Sequence, residues 1–463
     1  GVQTCALPIC GLGSASSGLV RELRRQGHDV EVVLPDYASL PLDGETREHL
    51  DIAPWAGDVT VRRGTRADTG PITLVHTIHI ERPHPYLDPQ GNGWSDNDQR
   101  FFAFAAVVAR LAVEGSPDVV HLNDWHTAAA LSWLAPTTPT VFSIHNLAYQ
   151  GACTSRWLDD FGDRRDAFKR DGGTNPMAGA LRLADRVIVV SPTYRTEILE
   201  PDNAFGLHDL IAARADDLVG IRNGVETDVW NPATDPFLRT TFDADHLDAK
   251  RDAHDAVSTE LGLEVSTAGR RAPLAVVVSR LAHQKGIDLL VDMLDLLDRM
   301  PARLAILGGG DRALADTLHA AARRAPGRVA FFEGFDEGLG HRMIAGGDLL
   351  LMPSRFEPCG LTQMQAMRYG TIPVVTGVGG LCDTVVDADR APRAGTGFVA
   401  PRPDALAVLD AWHRANRAVL DAPRRKGIQR RGMRADWSWE HPAHEHLAVY
   451  ESVCEQSVAD HRS

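Results

Sequence analysis

Arg280 and Lys285 stand in the segment SRLAHQKGIDLL, directly after the apolar run LAVVV. Two cations at the end of a buried strand can neutralise a diphosphate and offset negative charge that develops as a bond to it breaks. The same pair, taken alone, also suits a solvated surface. A second segment, PSRFEPCGLTQMQAMRYG at 353–370, reads as a strand end running through a Pro-Cys-Gly turn into a helix. Backbone N–H groups at that helix start could hold hydroxyls or phosphate oxygens. Glu357, just before the turn, could accept hydrogen bonds from ligand hydroxyls, or could serve only as a helix-terminal carboxylate.

A third group comes from VVHLNDWHT and FSIHNLAYQG, which place Asp124, His126, His145 and Asn146 at two strand ends. Such groups can orient a polar ligand and stabilise a cationic transition state, although each histidine alone is as readily structural. Gly11-x-Gly13 and Gly308-Gly309-Gly310-Asp311 would let backbone approach phosphate closely, or simply close a turn. Neither gives the G-x-G-x-x-G arrangement with a later acidic residue that a nicotinamide cofactor wants. His76, His79 and His84, or His121 with His126, have only a superficial metal-ligand spacing, and no metal is assigned. Asp243-x-Asp245 and Asp387-x-Asp389 are read as chance surface patterns.

The elements that must position these residues alternate along the chain. Strand-like runs (DVEVVLP, ITLVHTI, DVVHLND, TVFSIHN, RVIVVSP, then LAVVVSR, RLAILGG, RVAFFEG, DLLLMPS, TIPVVTG) are separated by helix-like segments. Near-continuous Val, Ile and Leu suits parallel strands buried on both faces with crossover helices. A stretch of few strand signals, Asn231 to Arg271, divides the runs into two series. The expected fold class is α/β, with two Rossmann-like doubly wound domains facing a central cleft, and the polar residues fall beyond strand ends, where such sheets bind ligands. The expected division is 1–240, a connection at 241–270, a second domain at 271–436, and a final segment at 437–463.

A chain of 463 residues exceeds what one core usually organises, in keeping with two domains. The longest apolar stretch, Phe101 to Val113, is interrupted by Arg110 and falls short of the roughly 20 residues a membrane helix needs. The opening residues GVQTCALPIC do not read as a secretory signal, so the expected location is the cytoplasm, and the six cysteines, scattered without a C-x-x-C pair, read as free thiols. A net charge of −14 disfavours nucleic acid or an anionic membrane as partner.

Taken in order, HDVEVVLPDY, GWSDNDQRFFAF, HLNDWHTAAALSWL, IHNLAYQG, ADRVIVVSPTYRTEI, GIRNGVETDVWNPATDP, SRLAHQKGIDLL, SRFEPCGLTQ and GGLCDTVVD resemble bacterial glycogen synthases and plant starch synthases over most of residues 11 to 450. The resemblance implies a GT-B fold and a retaining glucosyltransferase acting on ADP-glucose, with UDP-glucose as the other donor, and on an α-1,4-glucan such as glycogen, without a metal or cofactor. It implies that Arg280 and Lys285 meet the donor diphosphate and that Glu357 faces the glucose hydroxyls. The backbone of Cys359, Gly360, Leu361 and Thr362 would lie beside Glu357. Asp124, His145, Asn146 and Asn223 would surround the transferred glucose, with His145 nearest the reacting carbon. Phe335 would pack on adenine, and Gly11 and the loop Gly379-Gly380-Leu381 would lie at the phosphates. The final segment, DWSWEHPAHEHLAVYESV, resembles the family's C-terminal helix, which packs back on the first domain, with Trp439 and Tyr450 as its anchors.

The chain departs from that pattern at its start. Where the family has a Lys-x-Gly-Gly-Leu turn, this sequence has Pro8, Ile9, Cys10, Gly11 and Leu12, so residues 1–10 are expected to be non-native. Ser14 replaces a usual Asp, while Gln365, at the second position of an E-x7-E pattern, is typical of glycogen synthases. Two other readings stay open: a different retaining transferase of the same fold, and a glucan-binding homologue without catalysis.

Overall fold

A computed structural model describes residues 11–37, 40–67, 69–82, 93–265, 272–295 and 300–460. The expectations about Pro8, Ile9, Cys10 and His84 fall outside these residues. The chain divides into two compact units, Gly1–Gly224 with Trp439–Ser463, and Val225–Ser438.

The second unit is built on one six-stranded parallel sheet. Its strands run in the order Val329–Glu333, Arg303–Gly308, Leu274–Val278, Leu349–Met352, Ile372–Thr376 and Phe398–Ala400. The middle strands are buried on both faces, which is why they read as unbroken apolar runs. Helices cover both faces, and Trp412, Phe398 and Ile306 belong to one of the resulting cores while Tyr369, Met343 and Val276 belong to the other. The stretch expected as a connection carries the helix Lys250–Glu260, which packs on the helix Glu337–Gly346 of the same unit.

Among the described residues the first unit has, besides a short two-stranded sheet of Lys169–Arg170 with Gly173–Thr174, two four-stranded sheets. One is parallel, in the order Leu218–Gly220, Arg186–Val189, Thr140–Ile144 and Val120–Asn123. The other pairs Val32–Pro35 in parallel with Gly70–His76, which then runs antiparallel to Val59–Arg66, itself antiparallel to Asp43–Leu50. These antiparallel strands correct the expectation of parallel sheets throughout. Asp43–Leu50 (DGETREHL) is an edge strand exposed along most of its length, so it has no apolar pattern to announce it.

The helix Glu440–Asp460 belongs to the first unit. Trp439, immediately before it, is buried with Ala443 against Ala15, Leu19 and Leu23 of the helix Gly11–Arg25. Gly18 permits this contact, because a Cβ there would lie 1.9 Å from the indole nitrogen of Trp439. Further along, Val449 and Val453 pack on Val141 and Ile188 of the parallel sheet, and the Tyr450 hydroxyl lies 2.8 Å from His121 Nδ1.

The two D-x-D patterns have local structural roles. Asp387 accepts from the backbone N–H groups of Asp389 and Val399 and pairs with Arg414, which also holds Asp389. Asp243 accepts from the backbone of Asp245 and His246, and Asp245 pairs with Arg434. Among the described residues no helix is long and apolar enough to cross a membrane.

Candidate active site

In the second unit the strands Leu274–Val278 and Leu349–Met352 are neighbours, so the loops after their carboxyl ends meet. The first loop carries Arg280 and Lys285, and the second carries Ser354 and Glu357. Lys285 Nζ donates to Glu357 Oε2 at 2.6 Å, and Ser354 Oγ donates to the same oxygen at 2.9 Å. Glu357 is only 5% exposed, so its charge depends on these partners. The carboxylate therefore bonds to side chains across the loop, and the helix Thr362–Arg368 that follows has no side-chain cap. The reading of Glu357 as a helix-terminal cap is thereby replaced.

The approach of the two loops is set by backbone. Gly286, in the left-handed region at φ +64°, follows the 3-10 turn His283–Lys285, and a Cβ on it would lie 2.0 Å from the Pro353 carbonyl oxygen. Only glycine lets the turn settle there. Arg280 donates to Gln284 Oε1 at 3.4 Å, and Gln284 Nε2 donates to the Phe356 carbonyl at 3.4 Å. Arg280 is thus joined to the same pair of loops through Gln284.

Behind Glu357, its carbonyl accepts from Gly380 N–H at 3.1 Å, which seats the start of the short helix Gly379–Thr384 on the turn. Cys359 is buried, Gly360 takes φ +72°, and Leu361 and Thr362 lead into the next helix. Lys285, Glu357, Cys359, Gly360, Gly379 and Gly380 are thus brought together, with Arg280 beside them. Phe335 follows the edge strand Val329–Glu333, two strands away, and is 59% exposed.

In the first unit Asp124 Oδ1 accepts from the backbone N–H of His145 at 2.7 Å and of Asn146 at 3.3 Å. Asp124 itself takes φ +53°, a costly backbone conformation at the end of the strand Val120–Asn123. The His145 ring is turned so that Nε2 meets Asn123 Oδ1 at 2.9 Å, which fixes Nε2–H as the donor to that carbonyl oxygen. Burial pushes the His145 imidazole down to about 3, so it is neutral at physiological pH. Asn223 lines the same cavity of about 40 Å³ as Asn123 and His145. Gly11 begins the helix Gly11–Arg25 and is exposed. His126 stands apart from this group, its ring edge-on to Phe101 and tilted against Trp125 at 4.5 Å each.

Sequence reasoning gave no role to Asn123, Ser354 or Gln284, of which the first two fall inside segments read as strand ends. Their placement beside His145, Glu357 and Arg280 marks them as supporting residues. The signal was their position at strand ends, but their bonds depend on which strands are neighbours.

Comparison with known proteins extends this picture along the whole chain. A family model described as the starch synthase catalytic domain matches residues 6–213, and one for glycosyl transferases group 1 matches residues 264–426. The chain is 40% identical over 460 residues to a glycogen synthase of Dechloromonas aromatica, covering 95% of this chain and 94% of that protein. It is 39% identical over 461 residues to a glycogen synthase of Alkalilimnicola ehrlichii, covering 96% and 95%. Among solved structures, the catalytic domain of starch synthase IV from Arabidopsis thaliana, bound to ADP and acarbose, superposes with a TM-score of 0.88 at 30% identity, covering 98% of this chain and 99% of that one. Sucrose-phosphate synthase from Thermosynechococcus elongatus shares the fold, with a TM-score of 0.62 at 18% identity over 98% of this chain and 95% of that chain. The chain belongs to the glycogen and starch synthase family and is a glycosyltransferase with the GT-B fold.

Proposed function

We propose that the protein transfers glucose from ADP-glucose to the non-reducing end of an α-1,4-glucan, with retention, and that Lys285 and Glu357 are central to the reaction. The observation that carries this reading is the Lys285–Glu357 pair at adjoining strand ends, with Arg280 held beside it. Lys285 and Ser354 both bond the Glu357 carboxylate at Oε2, which leaves Oε1 to accept from a glucose hydroxyl. Arg280 and Lys285 would neutralise the diphosphate and the charge it gains as it leaves. The leaving diphosphate would take the acceptor proton on the same face, which gives retention.

Asp124, His145, Asn146 and Asn223 are assigned to the transferred glucose, Phe335 to the adenine, and the Cys359–Thr362 and Gly379–Gly380 backbone to the diphosphate and sugar. A neutral His145 ring suits hydrogen bonding to a sugar rather than charge pairing. The solved relative that is bound to ADP supports adenine as the base. Cys153, Cys359, Cys382 and Cys454 are free thiols, which supports a reducing compartment such as the cytoplasm.

The donor assignment is tested by following nucleotide release from ADP-glucose and UDP-glucose in parallel, with and without glycogen. Glycogen-dependent ADP release is expected to exceed UDP release by at least about tenfold in kcat/KM, a difference of roughly 1.4 kcal/mol in transition-state binding. Equal turnover of both donors, or release that ignores glycogen, would refute it.

A further inference from the structure

The two loops that bring Lys285 to Glu357 are joined by one more side chain, and it touches neither of those groups. Arg355 lies between Ser354 and Phe356 on the Glu357 loop. Its guanidinium donates to both carboxylate oxygens of Asp288, Nη1 to Oδ1 at 2.7 Å and Nη2 to Oδ2 at 2.6 Å. Nη1 also donates to the His283 carbonyl at 2.8 Å, and the Arg355 backbone N–H donates to the Gln284 carbonyl at 2.8 Å. These acceptors bracket Lys285 in sequence: His283 and Gln284 precede it in the 3-10 turn, and Asp288 follows it in the first turn of the helix Ile287–Val291.

We propose that Arg355 is a positioning residue that clamps the Lys285 turn on both sides and so sets the Lys285 ammonium against Glu357. The inference rests on the assignment of Lys285 and Glu357 to the reaction. The clamp is bidentate, so it fixes direction as well as distance, which a point charge does not. Its energetic contribution to folding is small, because the Arg355 and Asp288 side chains are 23% and 35% exposed and solvent screens such pairs. Its effect belongs to geometry: a misplacement of about 1 Å at a reacting group can cost on the order of a hundredfold in rate.

The test compares Arg355→Met, Arg355→Lys and Asp288→Asn with the wild type, each also in a Lys285→Ala background, by glycogen-dependent ADP release and thermal melting. In the wild-type background kcat/KM is expected to fall about ten- to a hundredfold for Arg355→Met and about tenfold for Arg355→Lys, with little change in melting temperature. In the Lys285→Ala background Arg355→Met should cost less than about threefold, because residues acting through one group are not additive. A purely structural role would give the same loss in both backgrounds, and that result overturns the proposal, as does a wild-type rate for Arg355→Met. If Lys285→Ala leaves no measurable rate, Arg355→Lys decides, and a wild-type rate there overturns it. Wild-type activity of Lys285→Ala itself would instead sink the site assignment and the clamp together. Asp288→Asn keeps the side chain's shape, so a loss of activity with an unchanged melting curve separates positioning from misfolding.

Discussion

Lys285→Ala should lower kcat/KM for glycogen-dependent ADP release by about a thousandfold, since removing one charged contact to a developing anion costs roughly 10² to 10³ in rate. Two effects add in the same direction. The variant removes a cation assigned to the diphosphate, and it leaves the Glu357 carboxylate, buried at 5% exposure, with only Ser354 on Oε2. Stranding a buried charge costs stability as well, on the order of 3 kcal/mol when the partner is truncated. Kinetics and a melting curve recorded on the same preparation separate the two, because the folded fraction can be measured and the rate corrected for it. A corrected rate within about threefold of wild type would remove Lys285 from the chemistry.

Acidification should loosen the first unit. His121 of the strand Val120–Asn123 and His446 of the terminal helix face each other in the interior, 4% to 6% exposed, with ring centroids 6.0 Å apart. His121 is bonded to Tyr450 and Ser143, and His446 Nδ1 donates to the Pro442 carbonyl. Burial, to which a charge on His446 would add for His121, drives His121 well below the ordinary imidazole range, and burial drives His446 down to about 4. Both are therefore neutral in the folded chain and titrate near 6.5 when it unfolds. Protons bind the unfolded state more tightly, so the stability is full above about pH 6.5 and falls as pH drops below it, for His446 by up to about 1.4 kcal/mol per pH unit until about pH 4. For His446 this amounts to roughly 2 kcal/mol at pH 5 relative to pH 7; His121 acts in the same direction. His446→Leu should flatten the pH dependence of the melting temperature between pH 7 and 5; an unchanged slope would contradict this account.

How much of this was legible depends on what each residue answers to. The strands Leu274–Val278, Leu349–Met352 and Ile372–Thr376 could be read because burial on both faces makes them apolar except for the terminal Thr376. Asp43–Leu50 could not, because one edge strand open to solvent tolerates DGETREHL. Arg280, Lys285 and Glu357 were singled out by their place after strands, but Lys285 and Glu357 are 72 residues apart. Their pairing follows from the order in which the strands enter the sheet, which spacing does not encode.

Other residues answer only to three-dimensional neighbours. His121, which spacing placed in a superficial metal pattern with His126, instead bonds Tyr450 from the far end of the chain, while His126 packs on aromatic rings. The Asp387 and Asp389 carboxylates are held by Arg414 from the helix Ala405–Leu420. Arg355 was visible only as a charged residue after a strand, since its clamp on Asp288 and His283 needs the second loop in place.

The most direct test of the central claim is to incubate the protein with ADP-[14C]glucose and glycogen and digest the washed glucan with β-amylase, which removes maltose from α-1,4-linked non-reducing ends. Transfer with retention predicts that nearly all incorporated label is released as maltose, and that Glu357→Ala incorporates none above background. Label that resists β-amylase, or equal incorporation by Glu357→Ala, would contradict it.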